Sequence, residues 1–169
     1  MSKIGIYVDG SAPINVASPT NPAGWGIVVV KDPVNHEGGT LLMARMGPVV
    51  TDTQAGNFIG AEVGSNNTGE LSAIYYALDI MDELHEDDEI TIYGDSQYAG
   101  NMANGSWRPK ENKELVANIR RLWQSRQEQS LIFNWAHVRA HVGHKWNELA
   151  DRYANEGVNL DSIGTLKFE

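Results

Sequence analysis

Three carboxylates in this 169-residue sequence sit where side chains commonly reach ligands. They are Asp9 in Tyr7-Val8-Asp9-Gly10-Ser11, Glu70 in Asn66-Asn67-Thr68-Gly69-Glu70-Leu71, and Asp95 in Asp95-Ser96-Gln97-Tyr98. Carboxylates brought close together repel, and burying them without a counter-ion is costly; a divalent cation resolves both difficulties. The chain contains no cysteine, which excludes disulfides, thiolate metal sites and a cysteine nucleophile. Hard oxygen donors then point to Mg2+ or Mn2+ rather than zinc. Each acid also has a plainer explanation: Asp9-Gly10-Ser11 makes a good turn, Asp95 is a candidate N-cap and Glu70 complements a helix dipole. His141-Val142-Gly143-His144 carries two imidazoles, but Gly143 lies between them before any helix begins. That spacing disfavours a zinc site and suits a titratable loop imidazole that handles protons beside the acids.

The elements that must position these groups follow from periodicity. Lys3 to Asp9 alternates Ile4, Ile6 and Val8 against Lys3, Gly5 and Tyr7, a strand ending on an acid. Gly10 to Ala23 is a loop, Trp25 to Val30 a buried strand, Lys31 to Gly39 a turn and Thr40 to Met46 a third strand, an antiparallel meander. Residues 50–65 are polar and glycine-rich, with Phe58-Ile59 the segment able to pack back on the core. From Asn67 the period becomes helical, with Leu71, Ile74, Leu78 and Met81 on one stripe that ends in the acidic run Glu86 to Glu89. Ile90 to Tyr93 is a strand, Gln97 to Ala103 a short helix, Glu111 to Gln127 a helix, Leu131 to His137 the last strand, and Lys145 to about Asn155 the last helix. No repeat or linker interrupts 1–169, so one domain is expected, with a C-terminal tail from about 158. Strands alternating with helices after a meander imply a mixed α/β sheet covered on both faces, five strands in all. Asp9 and Asp95 then end two strands that would be adjacent and central, where crevices form in open sheets.

The formal net charge of −9 excludes a uniformly basic polyanion binder, so its distribution matters. Residues 65–100 carry nine acids and no base, whereas 101–152 carry nine bases and five acids. The second of these segments is the one able to hold a polyanion. The N-terminus lacks a signal-peptide core and no apolar run reaches membrane-span length, so a cytoplasmic location is expected.

The order and content of these motifs resemble type 1 ribonuclease H. Tyr7 to Ser11 resembles the family's opening strand and Asp-Gly-Ser turn, and Asn66 to Leu71 its paired asparagines before a Glu-Leu helix. Asp95 to Tyr98 resembles its Asp-Ser-Gln-Tyr motif, and Trp107-Arg108-Pro109 with Asn112 to Leu115 its Trp-x-Pro and Asn-x-x-Leu segment. His141 to His144, followed by Asn147 and Asp151, resembles its closing motif, so the match runs from residue 7 to about 154. The resemblance implies a ribonuclease H-like fold, with three antiparallel strands followed by two parallel ones. It implies an endonuclease that cuts the RNA strand of RNA–DNA hybrids without sequence preference and leaves 5′-phosphate and 3′-hydroxyl ends. Asp9, Glu70, Asp95 and Asp151 are implied to hold two Mg2+ ions, for which Mn2+ is expected to substitute; one ion activates the attacking water and the other stabilises the leaving oxygen.

By the same resemblance, His141 handles protons or product release and Asn147 supports its loop. The backbone at Gly10 and Ser11, with Asn66, Asn67 and Gln97, lines the minor groove and senses the 2′-hydroxyl. Ser65 and Asn112 match positions that hold a phosphate of the DNA strand. Trp107 is expected in the core, with contact to that strand as the alternative. The basic protrusion of some members is missing: Ala99 to Ser106 is short and has no Lys or Arg. Arg108, Lys110, Lys113, Arg120, Arg121, Arg126, Arg139 and Lys145 are therefore left to hold the substrate, with weaker non-specific affinity expected. The expected partner is the hybrid duplex, with no membrane, no obligatory protein partner and a monomeric state. Two alternatives stay open at this point, a DNA junction resolvase and a non-catalytic hybrid-binding module of the same fold.

Overall fold

The computed structural model describes residues 2–14, 16, 18–84, 88–129, 131–140 and 142–168. Its centre is a sheet of strands β1 (Lys3–Ser11), β2 (Gly24–Lys31), β3 (Thr40–Pro48), β4 (Glu89–Gly94), β5 (Ile132–His137) and β6 (Gly164–Lys167), in the order β5-β4-β1-β2-β3-β6. β1, β2 and β3 form the expected antiparallel meander, while β4 pairs parallel to β1 and β5 parallel to β4.

The sheet has six strands rather than five. The segment expected to be a tail turns back and pairs antiparallel with β3, from Met43 opposite Lys167 to Met46 opposite Gly164. Leu166 is the one large apolar residue of Gly164-Thr165-Leu166-Lys167, so a four-residue edge strand leaves no periodicity to read. Its pairing to β3, and the bond from the Phe168 N–H to the Leu42 carbonyl (2.9 Å), come from tertiary context.

Four helices complete the fold: α1 (Asn66–Asp79), α2 (Gln97–Ala103), α3 (Lys113–Glu128) and α4 (Lys145–Gly157). Ile4, Ile6 and Val8 of β1 join the core that contains α1 and α3, while Tyr7, Val28 and Val30 face the other way into a cluster with Trp146 and Ala150 of α4. The alternation of β1 thus serves two covered faces. α1 is buried well beyond its Leu71, Ile74 and Leu78 stripe, from Thr68 through Ile74 and again from Tyr76 through Leu78, because the sheet, α2 and α3 all pack on it. Met81 falls in a 3-10 turn, Ile80–Glu83, that follows α1. α3 starts two residues later than expected because Asn112 adopts a left-handed conformation (φ 55°). α4 rides directly on the backbone of β2: a Cβ at Gly26 would lie 2.5 Å from the Ala154 nitrogen.

Residues 50–65 form no helix and no strand beyond an isolated bridge between Ser18 and Gly64, yet they are anchored. The Thr51 hydroxyl donates to the Pro19 carbonyl (2.8 Å), Asn118 of α3 donates to the Ile59 carbonyl (2.8 Å), and Ile59 packs against the core. Arg126, expected among the substrate-holding bases, is buried instead. It donates to the Leu78 and Asp79 carbonyls at the end of α1 (2.8 and 3.1 Å) and to both oxygens of Asp82 (2.5 and 3.0 Å). It adds buried donors at the end of α1, where intrahelical hydrogen bonds run out. Among the described residues no helix is long and apolar enough to cross a membrane.

Candidate active site

The parallel register of β1 and β4 sets Val8 beside Gly94, so Asp9 and Asp95 follow at the same level on neighbouring strands. Glu70 reaches them from α1. One carboxylate oxygen from each of the three residues lies within 4.8 Å of the others, and Asp9 and Glu70 are buried. Two glycines make this approach possible. A Cβ at Gly10 would lie 2.2 Å from the Glu70 nitrogen, and one at Gly69 would lie 2.6 Å from the Gly24 carbonyl oxygen and 3.0 Å from the Gly10 Cα. Backbone meets backbone where α1 touches the end of β1, and Glu70 is the next residue in the helix. Gly69 is a close-approach position to which the motif reading assigned no role; its signal is a glycine inside a helix, where it costs about 1 kcal/mol relative to alanine.

The plainer explanations of the acids do not account for this arrangement. β1 continues through Ser11, so Asp9-Gly10-Ser11 is strand rather than turn; the Asp9 carboxylate accepts from the Gly10 N–H (2.9 Å). The α2 N-cap is Ser96, whose hydroxyl accepts from the Ala99 N–H (3.1 Å), which frees Asp95 from that duty. Glu70 lies past the first turn of α1, which contains no acid and is capped reciprocally by Ser65 and Thr68.

Burial pushes the Asp9 carboxyl up to about 7, opposed by its hydrogen bond with Glu70 and reinforced by the charges of Asp95 and Asp151. Burial also raises Glu70 well above the usual carboxylate range, and Asp9 adds to the effect. Asp151, on α4 one turn after Asn147, therefore stands beside Asp9, though the tight group is the other three. Buried oxygens that resist ionising together, with no sulfur among them, fit a hard divalent cation that would replace the shared protons.

The remaining predicted positions divide. His141 lies outside the described residues. Asn147 is buried at the start of α4, and its side-chain oxygen has no hydrogen-bond partner among them. Ser11 bonds through its hydroxyl to Asn155, and Asn66 accepts from the Ala12 N–H (2.9 Å), so both tie the loop after β1 to helices. Asn67 and Gln97 are exposed. Ser65 serves as the α1 N-cap, and Asn112 donates to the Tyr98 hydroxyl (3.1 Å). Arg120 is spent on structure, donating to the Met102 and Trp107 carbonyls (2.8 and 2.5 Å). Trp107 is 46% exposed and not a core residue: its backbone N–H donates to the Asn101 carbonyl (3.1 Å) and its carbonyl accepts from Arg120 (2.5 Å), which hold it at the surface.

A cluster that the sequence did not signal braces the start of α4. His36, in the turn between β2 and β3 with φ 61°, hydrogen-bonds the Tyr7 hydroxyl through Nδ1 (2.8 Å) and packs edge-on against Tyr93 and His144. Its carbonyl accepts from the Trp146 N–H (3.2 Å). Burial and the neighbouring His144 lower its pKa. Nothing in the composition of the turn distinguishes His36 from a solvated residue.

Comparison with known proteins agrees with this geometry. The chain is 31% identical to a ribonuclease H of Pseudomonas fluorescens over 166 residues, covering 92% of each chain, and 28% identical to a ribonuclease HI of Caulobacter vibrioides, covering 92% of this chain and 93% of that one. Among solved structures, RNase H1 from Halobacterium salinarum superposes with a TM-score of 0.65 at 22% identity, covering 92% of this chain and 96% of that one. LC11-RNase H1 in complex with an RNA/DNA hybrid gives 0.65 at 23% identity over the same shares. The model of the RNase H family matches residues 1–159, and with the sheet order and the carboxylates described above the chain belongs to the RNase H family.

Proposed function

We propose that this protein is an endonuclease that hydrolyses the RNA strand of RNA–DNA hybrids, with Asp9, Glu70, Asp95 and Asp151 holding two Mg2+ ions. The observation that carries the reading is the convergence of three carboxylates, two of them buried, from β1, α1 and the end of β4 to within 4.8 Å. Folding them together without catalytic use would cost stability for no return. When bound, the cations supply Lewis acidity, activating water and stabilising the leaving 3′ oxygen, so the products carry 5′-phosphate and 3′-hydroxyl ends.

The chain's own residues set the rest. Asp9 and Glu70 are held by backbone, one on a central strand and the other against the Gly10–Gly69 contact, so the ligand set is preorganised. Asn67 and Gln97 are exposed amides that both donate and accept, suited to reading a 2′-hydroxyl and minor-groove edges that distinguish bases poorly. Asn66 is exposed too, and its carbonyl oxygen holds the Ala12 N–H, which ties the loop after β1 to the start of α1. Asn112 and the Ser65 hydroxyl are assigned to a phosphate of the DNA strand, and His141 to proton handling.

The test uses labelled RNA–DNA, RNA–RNA and DNA–DNA duplexes with Mg2+, Mn2+ or chelator. Cleavage confined to the RNA of the hybrid and lost with chelator is expected. A cleaved four-way DNA junction beside an intact hybrid would overturn the reading in favour of a resolvase.

A further inference from the structure

The turn between β2 and β3 holds three residues other than glycine in the left-handed region: Asp32 (φ 50°), Asn35 (φ 52°) and His36 (φ 61°). A residue with a Cβ adopts that conformation rarely, and it persists where surrounding contacts over-determine it. The turn is fastened at its start, where the Asp32 N–H donates to the Lys3 carbonyl (2.7 Å) and the Asp32 carboxylate accepts from the Lys3 N–H (3.1 Å). Its far side reaches α4. There a single residue takes two of its carbonyls: Trp146 donates its backbone N–H to His36 (3.2 Å) and its indole N–H to Gly38 (2.9 Å).

The start of α4 depends on that contact. Its N-cap, His144, makes no side-chain capping hydrogen bond, and the first N–H groups of a helix have no partner within it. The His36 carbonyl therefore caps α4 from another element. Farther along, α4 is pressed backbone to backbone on β2, where a Cβ at Gly26 would lie 2.5 Å from the Ala154 nitrogen and one at Gly24 2.5 Å from the Ala154 oxygen. Asp151 lies between these two holds, after Trp146 and before Ala154. A rod held at one place pivots about it; a second hold removes that freedom.

The His36 side chain ties the turn to the sheet. Its Nδ1 hydrogen-bonds the Tyr7 hydroxyl (2.8 Å), and its ring packs edge-on against Tyr93 and His144. Tyr7 and Tyr93 are paired across β1 and β4, each two residues before an acid of the site, Asp9 and Asp95. One turn residue thus refers the start of α4 to the two strands that carry those acids.

We propose that His36 is a positioning residue for Asp151. It sets the start of α4 against β1 and β4, and thereby places the one acid of the four that stands outside the tight group of three. The inference rests on the metal-binding reading above and deepens it, since affinity for the cation is what a shifted Asp151 would change.

The experiment follows thermal unfolding against Mg2+ concentration, and hybrid cleavage over the same range. His36→Ala should raise the Mg2+ concentration for half-maximal stabilisation and for half-maximal cleavage about tenfold, the lower end of what outer-shell partners contribute, with kcat at saturating Mg2+ within about twofold of wild type. Tyr7→Phe, a milder variant that removes only the hydroxyl, should shift both midpoints less and in the same direction. His36→Asn should restore the wild-type midpoints, because asparagine tolerates a positive φ and its amide takes the place of Nδ1. In an Asp151→Asn background His36→Ala should shift the Mg2+ midpoint of stabilisation no further, as two changes acting through one group do not add. A His36 with a structural role alone would lower thermal stability equally at every Mg2+ concentration. That result, an undiminished shift in the Asp151→Asn background, or failure of His36→Asn to restore the midpoints would overturn the proposal. Absence of any Mg2+ effect on wild-type stability would instead refute the metal-binding reading, so the two failures are separable.

Discussion

The molecule keeps its two functional charge groups under opposite physical conditions. Around the ends of β1 and β4 the negative charges are crowded, with Asp9 and Glu70 buried and Asp95 half-buried, and they are set by backbone contacts. Along α3 Lys113 and Arg121 are exposed, spread out and carried on long side chains, whereas Arg120 and Arg126 are spent on backbone carbonyls. Buried charge is sensitive to every neighbour, because low dielectric magnifies each interaction and leaves no water to compensate. Exposed charge is screened and additive, and each residue contributes little alone. Catalytic positions on this protein should therefore be irreplaceable and binding positions interchangeable.

The largest effect expected is on the buried group. Asp95→Asn should lower hybrid cleavage in Mg2+ by about 10³-fold or more, the loss equivalent to several kcal/mol of transition-state stabilisation; turnover within tenfold of wild type would refute the ligand assignment. Next comes the scaffold. Gly69→Ala forces a Cβ to 2.6 Å from the Gly24 carbonyl oxygen and pushes Glu70 away from Asp9. A displacement of about 1 Å at a catalytic group costs on the order of a hundredfold, so single-turnover rates should fall by that much while the variant still folds.

Stability should move in the opposite direction from activity. In the metal-free protein Asp9, with its pKa near 7, holds a proton that the unfolded chain releases near the usual 3.8. Stability from this group is full below the lower value and is lost as pH rises through the upper one. Asp9→Asn should therefore raise the thermal midpoint by several degrees at pH 8, on the order of 3 kcal/mol, with the gain vanishing near pH 4. Saturating Mg2+ should erase the difference by stabilising the wild type. With limiting Mg2+, cleavage should rise with pH through about 7 as Asp9 loses its proton, and a flat profile from pH 6 to 9 would contradict it.

Arg126 sharpens the contrast from the basic side, since it is the buried base of α3. Arg126→Ala removes a buried guanidinium from two helix-end carbonyls and from Asp82, and should cost about 2–4 kcal/mol in denaturant unfolding, leaving the salt dependence of binding unchanged. The smallest effect belongs to an exposed cation: Lys113→Ala should weaken hybrid binding a few-fold and reduce the slope of log K against log salt by about one. A Lys113 effect as large as that of Asp95 would break the comparison.

Much of the fold was legible because it rests on local signals. Alternation in Lys3 to Asp9, the apolar run at Trp25 to Val30 and the helical period after Asn67 correspond to β1, β2 and α1 within a few residues. The placement of Asp95 just past β4 followed from those elements, while Asp9 sits two residues before the end of β1, which runs on through Gly10 and Ser11 because they still pair with β2. β6 was not legible, because four residues on an edge owe their strand state to β3 rather than to their own pattern. Arg126 and Arg120 could not be separated from Lys113 and Arg121 by residue type, since only packing determines whether a guanidinium meets carbonyls or water. His36 was invisible for the same reason: a turn residue acquires meaning from Tyr7, Tyr93 and His144, which are distant in sequence.

The sequence by itself determined the donor chemistry of this protein: oxygen ligands without sulfur, an acidic stretch followed by a basic one, and acids at the ends of elements. Residue type and short-range periodicity are properties of the chain alone. Only the tertiary structure decided that three carboxylates meet within 4.8 Å, that Asp151 stands beside Asp9, and which bases face solvent. Those facts depend on strand register and on backbone contacts as close as that of Gly10 with Gly69, between residues 59 positions apart in the chain. No local energy term encodes such a contact; it exists only when the whole core is packed.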